Sequence, residues 1–184
     1  MKRLSFCVKK CFNDSKEKEA NTMNENQSIQ NIMNAYSSIT GLNCYFVQDA
    51  QEISSAKEKN FFCKCLKTSA SALMSCESCT FENYEQALSS LKSQTYSCHA
   101  GLVKWSVPVI FKDVQGVIIS EGVISSQQAK ESQSWIQYLS ETYNVSRSIL
   151  LENYKSVRVM TEQEVDESIH LLEAIVAYEK AKQE

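Results

Sequence analysis

Apolar side chains at Ile29, Ile32, Met33, Tyr36 and Ile39 recur on one face of a helix, and Gly41 follows where a left-handed cap would end it. Residues 43–48 (NCYFVQ) then predict a strand, closed by a turn at Asp49. From Lys57 to Lys92 the pattern is helical. It is clearest at the end, where Thr80 is placed to cap a helix whose Phe81, Tyr84, Leu88 and Leu91 share a face. Between Thr95 and Ile124 the character changes. The runs LVKWSVPVIF and VQGVIIS, rich in β-branched and aromatic residues and broken by Asp113 and Gly116, predict two or three antiparallel strands.

The remainder reads as helices, with Trp135, Ile136 and Leu139 on one and Ile149, Leu150 and Tyr154 on the next. Thr161 and Glu164 form a T-x-x-E capping box ahead of Val165, Ile169, Leu172 and Val176, the stripe of a final helix. Residues 1–26 carry no sustained apolar period and are expected to be a flexible extension. Residues 27–126 then form the core, and 127–184 supply helices that pack on it or mediate dimerisation. The expected class is α+β: a central antiparallel sheet flanked by helices.

Charge excludes some functions. The formal net charge is −3, with no basic helix, so nucleic acid and anionic lipid are not expected partners. No run approaches the length of a membrane helix and no export signal stands at the start, so a cytoplasmic protein is expected. Phosphate-binding glycine loops, metalloprotease helices and nucleophile elbows are absent from the sequence, and an enzyme is not expected.

Cysteine changes the picture most. Eight cysteines accompany only two histidines and four glycines, and five of the eight lie between Cys63 and Cys98. In a chain this long with no export signal, reduced thiols are a better reading than a disulfide framework. Cys63, Cys76, Cys79 and Cys98 are spaced C-x12-C-x2-C-x18-C. The C-x2-C pair can reach one ion, and two further thiolates complete a tetrahedron for zinc or hold an iron–sulfur cluster. Cys65 reads as a spectator facing the other way, and Cys7 and Cys11 as surface thiols. His99 beside Cys98 invites a Cys–His nucleophile, but adjacent strand residues point to opposite faces, which argues against it. His170 reads as a helix-flank residue.

The segments FCKCL, CESCTFENYEQAL and YSCHAGLVKWSVPVIFKDVQGVIISEGVI together resemble the PocR sensory domain. The C-H-A-G-L element followed by a V-P-V strand, a glycine turn and a closing G-V strand carries most of the likeness. The resemblance spans about residues 27–126 and implies a PAS- or GAF-like fold that senses small organic molecules. It places the family's cysteine positions on Cys63, Cys76, Cys79 and Cys98, with His99, Gly101 and Leu102 following. Glu121 stands where the family tends to carry glycine. No effector domain is expected after Glu184, so the signal would leave through a separate signalling protein or a homodimer. Tyr45, Tyr96, His99, Trp105 and Glu121, polar-tipped groups on an apolar wall, are the expected ligand-facing residues.

Overall fold

The computed structural model describes residues 26–53, 60–111 and 114–182. The expected extension at 1–26, with Cys7 and Cys11, lies almost wholly outside them. Helix α1 (residues 26–40) ends at Gly41, whose backbone has φ +72° and whose N–H donates to Ser37 O at 2.9 Å. Strand β1 (Cys44–Val47) follows, then a short 3-10 turn at Ala50–Glu52. Helices α2 (Phe61–Leu66) and α3 (Ala70–Ser90) lead into three strands, β2 (Gln94–Ser97), β3 (Val103–Ile110) and β4 (Gln115–Ser120).

These strands and β1 form one antiparallel sheet in the order β1-β4-β3-β2. After β5 (Ile124–Ser125) come α4 (Ser126–Lys130), α5 (Ser132–Tyr143) and α6 (Arg147–Tyr154). Strand β6 (Val159–Met160) pairs in parallel with β5, and α7 (Glu162–Ala181) closes the described chain. The class is the α+β one expected. Among the described residues no helix is long and apolar enough to cross a membrane.

Alternation along the strands sorts the side chains onto two faces. Val103, Trp105, Val107 and Val109 of β3, with Ile118 of β4, pack on one side against Ile29, Ile32 and Tyr36 of α1 and Val165, Ile169 and Leu172 of α7. Val47, Val117 and Ile119 face the other side and meet Tyr84 and Ala87 of α3. A third cluster joins Phe62, Cys63 and Leu66 of α2, Ala100 and Leu102 of the β2–β3 turn, and Ile136, Leu139, Leu150 and Tyr154 of α5 and α6. The final helix starts as its capping box requires: Thr161 Oγ1 accepts from the Glu164 N–H at 3.2 Å, and Glu164 Oε2 accepts from the Thr161 N–H at 2.7 Å.

Two local expectations are overturned. Thr80 caps nothing. It lies buried inside α3, which runs 21 residues without glycine or proline, and its hydroxyl donates to Cys76 O at 2.8 Å. That back-bond satisfies the hydroxyl within the helix, so no break is needed there. Ile39, read as part of the apolar face of α1, is 64% exposed, while Ile29, Ile32 and Tyr36 on that face are buried.

Candidate functional site

The four expected cysteines come from three separate elements on the α3 side of the sheet, and Cys63, Cys76 and Cys98 line one small cavity there. Cys63 is on α2, whose start is set by Asn60: its side-chain oxygen accepts from the Phe62 N–H at 2.9 Å. Cys76 and Cys79 stand three residues apart within α3, so they share the helix face that also carries Thr80. Cys98 opens a tight turn closed by Cys98 N–H to Leu102 O (2.9 Å) and Gly101 N–H to Cys98 O (2.8 Å), with Gly101 at φ +77°.

Cys63, Cys76 and Cys98 line a cavity of about 10 Å³ together with Leu66, Thr80, His99 and Lys104. Cys79 lies alongside, close enough to Cys98 and Cys76 that both disfavour its ionisation. All four are thiols rather than disulfides, as is Cys65. Cys65 turns away from the cavity: its sulfur accepts from Asn153 Nδ2 of α6 at 3.4 Å. Among the described residues no three His, Cys, Asp or Glu side chains close on a common metal position.

Backbone amides are aimed at two of the sulfurs. The N–H groups of Ala100 and Leu102 point at Cys98, and that of His99 points at Cys79. Asn83 Nδ2 adds a longer contact to Cys79 Sγ at 3.8 Å. Even so, burial dominates and pushes both thiols up, with Lys104 and the amides opposing the rise at Cys98. Raised thiols of this kind are poor nucleophiles at neutral pH, but Cys98 and His99 line the same cavity, because they sit in a turn and not a strand, so the expectation that they face opposite ways is overturned. Burial and the nearby Lys67 and Lys104 charges hold His99 down to about 4, so its ring is neutral at pH 7; its Nδ1 shares a hydrogen bond with Tyr143 Oη at 2.9 Å.

Lys104 is the residue that the sequence reading passed over. It is only 3% exposed, forms part of the cavity wall, and holds its Nζ 5.5 Å from the centre of the Tyr45 ring. Tyr96 pairs with Lys104 across the β2–β3 ladder and so shares its face. Its hydroxyl is buried and, like Ser106 Oγ two residues along β3, finds no hydrogen-bond partner among the described residues. Burial raises the Tyr96 hydroxyl well above the usual tyrosine range.

The five expected ligand-facing residues divide. Tyr45, Tyr96 and His99 stand around this site. Trp105 is fully buried on the opposite face, against α1 and α7. Glu121 lies at a bulge. The register moves from Ser106↔Ile119 to Val103↔Val123, leaving one extra residue on the β4 side, and there Glu121 accepts from Asn43 Nδ2 at 2.9 Å.

A comparison with protein families matches residues 23–180 to the family described as the sensory domain found in PocR. No curated protein and no solved structure matches the chain.

Proposed function

The chain belongs to the PocR sensory-domain family, and from that premise and the site geometry we propose that it binds a small organic molecule between α2, α3 and the β2–β3 turn. Occupancy is then the signal passed to a separate signalling protein or a second copy of the chain. One observation carries this reading: two buried hydroxyls, on Tyr96 and Ser106, lack partners among the described residues, on the strand face that also carries the buried Lys104 ammonium of the cavity wall. A buried polar group left unsatisfied costs about 1–3 kcal/mol, so a guest with a polar atom to offer is rewarded there. The guest's apolar end would meet Leu66 and Ala100. A void of about 10 Å³ admits one water at most. Anything larger enters only as α2, α3 or the turn gives way, so binding and rearrangement are one event.

Tyr45, Tyr96, His99 and Lys104 are the residues to test. In a thermal-shift screen of short-chain alcohols, amines and small aromatic compounds, at least one class is expected to raise the midpoint, and Tyr96→Phe to weaken that response. Silence across the panel would refute the reading.

A second reading is favoured by the amides aimed at Cys79 and Cys98, since hydrogen bonds to sulfur orient and tune metal–thiolate centres. In it Cys63, Cys76, Cys79 and Cys98 hold zinc or an iron–sulfur cluster, after a small inward movement of α2 and the turn. The absorption spectrum and metal content of protein made without oxygen test it. Charge-transfer bands or stoichiometric zinc are expected, and colourless, metal-free, stably folded protein would end it.

A further inference from the structure

The thiol cavity has two walls distant in sequence, α2 and the Cys98–Leu102 turn, and both rest on the same pair of helices. Helix α5 holds the turn at two points. Trp135 Nε1 donates to Ala100 O at 2.8 Å, and Tyr143 Oη meets His99 Nδ1 at 2.9 Å, the two rings lying edge to face at 5.4 Å. Helix α6 holds α2 at two points as well. Tyr154 packs edge to face on Phe62 at 5.2 Å, and Asn153 Nδ2 donates to Cys65 Sγ.

The helices are themselves locked together. Asn144 takes a left-handed conformation between them, Ser140 Oγ donates back to Val145 O at 2.7 Å, and Ile136, Leu139 and Leu150 share one core. Both grips also lead outward. Tyr138, 52% exposed, stacks on Trp135 at 5.1 Å, and Ile149, 50% exposed, accepts at its carbonyl from the same Asn153 amide that reaches Cys65.

We infer that the α5–α6 hairpin is the reporting element of the sensor: it couples the two walls of the cavity and carries their displacement to the surface around Tyr138 and Ile149. The sensing role rests on the ligand site proposed above, but the mechanical coupling does not. A rigid unit gripping two movable walls lets each wall respond to what happens at the other. Coupling of this kind is reciprocal.

Hydrogen exchange on the full chain, with no ligand present, tests it. Tyr143→Phe deletes the hydroxyl that holds the turn and leaves the ring in place. It is expected to speed amide exchange not only in the turn but also in α2, which Tyr143 does not grip, by about threefold to fivefold. Asn153→Ala is expected to act in reverse, loosening the Cys98–Leu102 turn from the α2 side. Tyr138→Phe, which touches neither wall, should change neither. If each substitution speeds exchange only at the wall it touches, or equally throughout the chain including α7, the inference is overturned. Far-wall coupling in a protein that binds nothing from the ligand panel would leave the hairpin's mechanical coupling of the two walls intact and remove the ligand reading instead.

Discussion

Replacing Gly101 by alanine tests how tightly α5 clasps the cysteine turn, and Gly41→Ala supplies the control. The two glycines have nearly the same backbone, φ +77° and +72°. A left-handed conformation costs an alanine about 1–2 kcal/mol at either position. Their surroundings differ. A methyl at Gly41 would meet only Arg158 Nη1 at 3.8 Å, an ordinary contact. At Gly101 it would strike the Gln128 side chain and lie 2.9 Å from the Trp135 ring. To relieve that, the indole must shift and give up its bond to Ala100 O, worth about 1 kcal/mol more. The expected losses are therefore about 2–3 kcal/mol for Gly101→Ala and about 1–2 kcal/mol for Gly41→Ala. Urea unfolding with unchanged m-values would measure both, and the melting midpoint should fall by about 2–4 °C per kcal/mol. If Gly101→Ala costs no more than Gly41→Ala, the turn is not clasped by Trp135 and the reasoning fails.

Other consequences are open to measurement. Thr161→Ala removes the cap of α7 and should cost about 1 kcal/mol in urea unfolding. Bonds from the Thr161 N–H and hydroxyl hold the Glu164 carboxyl below its ordinary 4.5. Its contribution is thus present above that value and lost as pH falls through the lowered folded one, and the Thr161→Ala variant, which keeps the backbone N–H, should lose only the smaller share of that acid dependence that the hydroxyl supplies. Because burial raises the Cys79 and Cys98 thiols, both should alkylate slowly at pH 8 in folded protein and quickly once it is unfolded. Rapid modification of Cys98 at neutral pH would contradict that placement.

Much of the architecture could be read from residue order because it is local. The capping box at Thr161 and Glu164, the left-handed stop at Gly41 and the alternation of Val103, Trp105, Val107 and Val109 each depend on neighbours a few residues away. That Cys63, Cys76 and Cys98 would border one cavity was suggested by spacing and resemblance, though not the long helix that carries Cys76 and Cys79. Thr80 was read as a break because threonine favours caps, whereas here its hydroxyl is satisfied within the helix. The place of Glu121 was hidden for a different reason, since the bulge there shifts the β3–β4 register by one, whereas Trp105 simply follows the β3 alternation and lies with its valines on the α1 side.

A signal for Lys104 did exist. It is the lone charge in the strand V-K-W-S-V-P-V-I, on the parity opposite the valines, and that parity puts it under α3. The grips of Trp135, Tyr143 and Asn153 had no comparable signature, since they join residues 35, 44 and 88 positions apart.

That the guest enters on the α3 side of the sheet is tested most directly by mapping thiol protection with a compound that stabilises the protein. At saturating concentration it should shield Cys63, Cys76 and Cys98 from alkylation while leaving Cys44, which packs on the α1 and α7 side, reacting at its original rate. Protection of Cys44 with no change at the other three would place the guest on the wrong face and contradict the site.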